Sequence, residues 1–375
     1  MPEPFKNLIN AELVRACGRH LHRAWPGFDR RAFEARALAG LDGLEMKARA
    51  MHIADALEAT LPDDFDRAAG IIEGALAPPA TDDRLAFATT EAGLAGWIGW
   101  PLGEFIARRG LAEPERALLA LRELTQRFTS EFAVRPLLVN HFELTIGRLR
   151  QWSTDPNPHV RRWTSEGSRP RLPWGLQVKS LVADPSPTLP LLAALQDDAS
   201  AYVRRSVANH LNDIAKDHPQ LVTDWLARHL PGASPERVAL LRHATRTLVK
   251  RGHPTTLKAW GLGGRLAGTA SLSVSPKRVC VGDALRLEVR LVSSSRRKQE
   301  LVLDYVVHHV RASGGTSPKV FKGWKLALAP GETRLLTRAH SLRPVTTRRY
   351  YPGRHRIELQ VNGSVVAEAA FMLGD

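Results

Sequence analysis

The chain has only two cysteines in 375 residues, Cys17 and Cys280. They lie far apart and fall in what reads as two different domains. A disulfide framework and a cysteine-rich metal site are therefore excluded, and a reducing compartment is expected. No segment reads G-x-x-x-x-G-K-[ST], H-E-x-x-H, C-x-x-C or G-x-S-x-G, which removes P-loop, zincin, thiol-redox and nucleophile-elbow chemistry. G-L-G-G-R-L (261–266) clusters glycines but follows no βαβ pattern, so it does not read as a phosphate cradle. The start, M-P-E-P-F-K-N-L-I-N-A-E-L, has no apolar core of a signal peptide, and no apolar run is long enough to span a bilayer. The expectation is a soluble, cytoplasmic protein without a membrane partner. Acid is also scarce. Against 53 Lys and Arg stand 38 Asp and Glu, a net charge of +15 with a pI near 10.4. Such a field favours a polyanion as partner.

The pattern changes near residue 267. Before it, apolar residues recur at helical spacing, as in L-L-A-L-R-E-L-T-Q-R-F (118–128) and L-V-T-D-W-L-A-R-H-L (221–230). After it they alternate, as in L-R-L-E-V-R-L-V (285–292), L-V-L-D-Y-V-V-H (301–308), K-L-A-L-A (325–329) and H-R-I-E-L-Q-V (355–361). About seven short strands in this final third fit an immunoglobulin-like sandwich. The expected division is 1–265 for a helical domain and 268–375 for the sandwich, with G-G-R-L-A-G (263–268) as connection.

The helical part repeats weakly. P-H-V-R-R-W-T-S-E (158–166) matches S-A-Y-V-R-R-S-V-A-N (200–209) with Val160 over Val203, a spacing of 43 residues. A looser copy follows at 239–254. This is the period of helix pairs that stack into a solenoid. The fold class is thus mainly α: a HEAT-like α-α superhelical solenoid with a C-terminal all-β immunoglobulin-like sandwich.

Within Asn157–Gly175 stand Arg161, Arg162, Arg169 and Arg171 around a single acid, Glu166, flanked by Trp163 and Trp174. Guanidiniums suit phosphate oxygens, and an indole can stack on a base. A carboxylate in such a patch should repel DNA unless it meets developing positive charge. With a helix beginning near Pro158, Arg162 and Glu166 are i and i+4 neighbours. Arg205, Asn209 and Asp213 occupy the matching stripe of the next unit, with His210 and Lys216 close by. A single such pair reads equally as a solvated salt bridge of about 0.2–0.5 kcal/mol; its repetition favours a site. Upstream, T-S-E-F-A-V-R-P (129–136) offers Glu131, either a helix-start acid or a second functional carboxylate. Arg135 precedes a proline, which predicts an extended or turning backbone. His308 and His309 are adjacent on a strand and face opposite ways, against joint metal ligation.

The block H-V-R-R-W-T-S-E-G-S-R-P-R-L-P-W-G, the T-S-E-F-A-V-R-P segment and the helical repeat together resemble the AlkC branch of the bacterial alkylpurine DNA glycosylases. The AlkD branch is similar in its HEAT-like architecture. The resemblance covers essentially the whole chain, because AlkC-type proteins can carry a C-terminal immunoglobulin-like domain. It implies removal of cationic alkylated bases, 3-methyladenine and possibly 3-methylcytosine, from double-stranded DNA in base excision repair. It further implies capture of the lesion without full enclosure. By resemblance, Glu131 and Glu166 match the active-site carboxylates, Trp174 the site tryptophan, and Arg162 and Asp213 fall at site positions. No metal, cofactor or obligate protein partner is implied.

A cationic base is already a good leaving group, so the chemistry left to the protein is to stabilise an oxocarbenium-like sugar and position water. Carboxylates do both. No lysine stands out beside them to form a Schiff base, so a monofunctional hydrolase is expected, without β-lyase activity. The strand-rich part carries 18 Lys and Arg against 8 Asp and Glu. Two basic-aromatic stretches, 317–325 and 346–356, read as loops that grip the DNA backbone or minor groove, with Arg348 and Arg349 foremost. The rival readings are a non-catalytic solenoid that recognises bent, branched or damaged DNA, and a protein-binding scaffold. Arg-rich stripes disfavour the second.

Overall fold

A computed structural model describes residues 4–83, 87–262, 265–345 and 348–374. Gly263 and Gly264 of the expected connection lie outside the described residues, as do Thr346 and Thr347. The chain forms two compact units. The first is Met1–His218 with Gly232–Ala244; the second is Pro219–Pro231 with Thr245–Asp375.

The first unit is helical, and its helices start where the sequence supplies caps. The side chains of Asn10, Asp29, Asp64, Asn157 and Ser200 each accept from a main-chain N–H in the first turn. Pro114 and Pro158 occupy first helical positions, where no N–H is missed. The helices Pro158–Gly167 and Ala201–Asp217 begin 43 residues apart and pack on one another, as the repeat requires. Pro114–Thr125 precedes them in the stack and Pro235–Ala244 follows. Their buried faces are apolar: Val160 and Trp163 on one, Val203, Val207 and Leu211 on the next.

A charge ladder ties these turns together. Arg122 donates to Asp155 at 2.9 and 2.5 Å, and Arg161 donates to Asp198 at 2.6 and 3.0 Å. The two acids are 43 residues apart, so each rung joins equivalent places in successive units. Arg161 Nη1 also bonds the carbonyls of Asp155 and Pro156, just as Arg204 Nη1 bonds those of Asp198 and Ala199. Trp163 is fully buried and stacks on Trp152 at 5.7 Å. It is a core residue and offers no surface to a base.

Among the described residues of the second unit, eight strands make two sheets: β1 Gly268–Ser275, β2 Arg278–Val279, β3 Ala284–Ser293, β4 Gln299–Val310, β5 Thr316–Leu328, β6 Thr333–Ser341, β7 Gly353–Val361 and β8 Ser364–Leu373. The order is β1-β3-β6 in one sheet and β2-β8-β7-β4-β5 in the other. Alternate residues meet in the core, among them Leu287, Val289 and Leu291 of β3, Leu303, Tyr305 and Val307 of β4, and Ile357 and Leu359 of β7. The stretch 317–325 is not a loop. It lies in β5, because its aromatic residues Phe321 and Trp324 pack on the core while Lys319, Lys322 and Lys325 stay in water. Gly323 forms the bulge that lets both sets point correctly, and its N–H donates to Asp304 at 3.2 Å.

Among the described residues no helix is long and apolar enough to cross a membrane, and no group of three His, Cys, Asp or Glu side chains is placed to hold a metal ion. His308 meets Glu358 at 3.0 Å, whereas His309 is buried.

Candidate active site

The first carboxylate sits just ahead of a short helix. Val134–Asn140 starts one turn after Ser130, and Glu131 occupies the entering turn. Thr129 donates to Glu131 Oε2 at 2.8 Å. Arg135 is helical, not extended as the following proline suggested. Pro136 falls in the first helical turn, where main-chain N–H groups have no helical partner to lose.

Glu166 lies near the end of its helix and Asp213 one turn before the end of the next. The two helices are repeat equivalents, so their stripes run side by side. The result is a line of alternating charge: Glu131, Arg162, Glu166, Arg169, Asp213, Lys216. Arg162 pairs with Glu131 and stands 3.7 Å from Glu166. Arg169 Nη1 donates to Glu166 Oε1 at 2.5 Å, and its Nε and Nη2 reach Asp213 Oδ2 at 2.8 and 2.7 Å. Lys216 Nζ donates to Asp213 Oδ1 at 2.6 Å. Three anions and three cations cancel. A polyanion approaching this face therefore meets no net repulsion from the array, yet carboxylate oxygens are held in fixed places.

Glu166 is 5 % exposed. Burial alone would push its carboxyl up, but the charges of Arg162 and Arg169 and the Ser206 hydroxyl, 2.6 Å from Oε2, outweigh it and hold it below the usual carboxylate range. Glu166 is thus an anion at neutral pH. Glu131 Oε1 accepts no hydrogen bond among the described residues, which leaves a carboxylate oxygen open to water. His210 is fully buried beneath the array, bonded to Ser165 O at 2.9 Å. Burial pushes it down to about 4, so it stays neutral.

Arg162 is held on its other side by an aromatic row. Its guanidinium lies 5.3 Å from the ring centre of Tyr202, Tyr202 meets His159 at 5.6 Å, and His159 meets Phe87 at 4.9 Å. Arg135 works from below. Wholly buried, it donates to the carbonyls of Gly167 and Arg169, both at 2.8 Å, and to Leu176 O. These bonds shape the 167–176 loop. Burial, with the charge of Arg169, pushes Arg135 down to about 10, where it is still a cation at neutral pH. Gly175 fits against it; a Cβ there would come within 3.1 Å of Arg135 Cδ. The neighbouring Trp174 adopts φ of +64° and is 69 % exposed. A large side chain held in the left-handed region and left in water is paid for elsewhere, here by the Arg135 anchorage.

The structure therefore brings Glu131, Glu166, Asp213, Arg162 and Arg169 together and sets Trp174 on the loop beside them. Arg169 is 7 % exposed and clamps two carboxylates, so its donors are already used. Arg161 belongs to the repeat ladder. Arg171 is turned to Asp217 at 2.6 and 2.8 Å. Arg205 is exposed. In the second unit, Arg348 is half-buried, donates to His309 at 3.0 Å and lies 5.8 Å from the rings of both Phe321 and Tyr350, while Arg349 is exposed over Tyr351. Lys216, expected close to this face, is seated on Asp213 as its ion-pair partner. The sequence reading passed over Tyr202 and Ser206. The 43-residue register held the clue, since it aligns Tyr202 with His159 and Ser206 with Trp163.

The family model for DNA alkylation repair enzymes matches residues 128–248, and that for the C-terminal Ig-like domain of the uncharacterised protein YhaZ matches 268–375. YhaZ of Bacillus subtilis (strain 168) is 36% identical over 362 residues, 96% of each chain. The alkylpurine DNA glycosylase AlkC of Pseudomonas fluorescens, solved bound to DNA containing an abasic site analog, is 33% identical with a TM-score of 0.89 over 100% of both chains.

Proposed function

The chain belongs to the AlkC-type family of alkylpurine DNA glycosylases, and on that premise we propose that it hydrolyses the N-glycosidic bond of cationic alkylated bases, of the class of 3-methyladenine and 3-methylcytosine, in double-stranded DNA. The observation that carries this reading is the alternating array, which presents three buried or half-buried carboxylates without net charge. The C1′–N bond breaks with its electron pair going to the base, which leaves neutral. Glu166, held ionised, stabilises the positive charge that develops on the sugar. It cannot serve as an acid, which suits a leaving group that needs no proton. Glu131, with an oxygen open to water, accepts the proton as that water's oxygen bonds C1′. The product is an abasic site. The reading is monofunctional, because the nucleophile is the water that Glu131 activates. Trp174 supplies an exposed indole for the nucleotide or its neighbour. The sandwich, with most of the formal charge, adds sequence-independent phosphate contacts.

The test is base release from methylated duplex DNA. Wild type should release 3-methyladenine and should leave uracil and 8-oxoguanine, neutral bases that require leaving-group protonation. Absence of any release by wild type sinks the enzyme reading and leaves a DNA-binding solenoid.

A further inference from the structure

The six charges of the array are not equally fixed. Five side chains are between 2 % and 15 % exposed; that of Lys216 is 36 % exposed. Arg169 spends three donors on two carboxylates, and its own carbonyl is gripped by Arg135. Lys216 contributes a single bond, Nζ to Asp213 Oδ1, from one turn along the same helix. An ammonium on a flexible stem is a compact, strongly hydrated charge that returns to water readily, unlike a forked guanidinium. Asp213 differs in kind. It is 1 % exposed, so if Lys216 left with nothing in its place, a buried carboxylate oxygen would stand without a partner, which is strongly unfavourable.

We propose that Lys216 is a displaceable counter-ion and thereby a specificity-determining residue: the positive charge of an alkylated nucleotide takes its place at Asp213, and a neutral nucleotide cannot. The charge balance supports this. The six groups of the array balance one another, with the Arg135 cation beside them. Arrival of a further cation with Lys216 still seated would add to that positive charge, whereas release of the ammonium to solvent leaves it unchanged. A neutral base offers nothing to replace the ammonium, so Lys216 stays and the approach to Asp213 remains closed. The inference rests on the proposed glycosylase reading, and it adds a gate that acts before bond cleavage.

The test uses full-length protein and two duplexes that differ only in one abasic-site analogue. One carries a protonated pyrrolidine and the other a neutral tetrahydrofuran. The ratio of the two affinities cancels the phosphate contacts that both share. Lys216→Met, similar in length but uncharged, should raise the preference for the cationic duplex over wild type by about fivefold. Lys216→Arg, whose fork can hold Asp213 more firmly, should lower it. A ratio unchanged or reduced in the methionine variant overturns the proposal. Should that variant fail to fold, the arginine variant decides, and a ratio at or above wild type overturns it. Failure of the underlying reading shows separately: wild type would then release no methylated base and bind the two duplexes alike, and the gate would fall with it.

Discussion

Arg135 and Arg169, two buried guanidiniums of like charge, are joined through one peptide group: Arg135 Nη1 donates to the carbonyl of Arg169 at 2.8 Å, while the Arg169 side chain bridges Glu166 and Asp213. The carboxylates repay the repulsion. One residue from the 129–136 segment thereby sets the backbone from which the central clamp of the site projects.

Replacing Arg135 with Met should leave the carbonyls of Gly167, Arg169 and Leu176 without their donor. The expected loss of stability is about 1–3 kcal/mol, and the single-turnover rate of base release should fall further than DNA affinity. Arg135→Lys should not rescue, because one ammonium cannot reach all these acceptors. Thermal melting together with single-turnover kinetics checks both parts; a variant that excises at the wild-type rate would remove Arg135 from any positioning role.

Glu166→Gln and Glu131→Gln should each slow excision by roughly 10²–10³-fold, the usual scale for loss of one electrostatic partner of a transition state. DNA binding should hold or tighten, since each change leaves the array one positive charge in excess. Equilibrium binding beside single-turnover rates separates the two effects. If either variant lost affinity and kept its rate, that carboxylate would be structural.

Arg348 and Arg349 are adjacent in sequence but should behave differently. Arg349→Ala should weaken binding to damaged and undamaged duplex alike and lower the slope of log K against log salt by about 0.9. Arg348→Ala should act on stability first, because it removes the donor to His309 and the cation between Phe321 and Tyr350. Salt titrations of binding and melting curves for the two single variants make the comparison. Equal salt slopes for wild type and Arg349→Ala would exclude a phosphate contact there.

The second unit should be acid-sensitive. His309, His340 and His355 are at most 4 % exposed. Burial, aided by Arg348, pushes His309 down to about 3 and His340 down to about 4, and burial also lowers His355. Between about pH 6.5 and those values the unfolded chain takes up protons that the folded histidines refuse. Stability is therefore complete above pH 6.5 and falls as pH drops, by on the order of 3 kcal/mol for each of His309 and His340 near pH 4. Denaturant midpoints measured from pH 7.5 to 4.5 should show this, and His309→Gln should flatten the acid limb. A midpoint independent of pH in that range contradicts the burial argument.

The 167–176 loop shows why part of the site could not be read from the chain. Arg161, Arg169 and Arg171 look interchangeable in sequence, each a guanidinium in a basic block. Their fates differ because their partners lie 37 to 46 residues away: Asp198, Asp213 and Asp217. The basic-aromatic run at 317–325 was misread for a related reason. Composition says that lysines and aromatics alternate, but only a sheet with a core on one side decides that Phe321 and Trp324 point inward. Arg135 seemed extended because proline acts on its predecessor, yet three carbonyl acceptors and a helix start outweighed that local preference.

What the sequence by itself determined are the features set by local periodicity and by caps. These are the change from period 3.6 to period 2 near residue 267, the helix that begins at Pro158, the i, i+4 placement of Arg162 and Glu166, and the 43-residue repeat that stacks one carboxylate stripe beside the next. Such features follow from backbone geometry within a few turns. Tertiary structure alone decided which charges pair. Coulomb attraction in a half-buried site selects partners by distances of a few ångströms between separate helices, and those distances arise from how Val160, Trp163, Val203 and Val207 pack. That packing made Arg161 a ladder rung and Arg169 a clamp, and it left Lys216 as the loosest ion of the site.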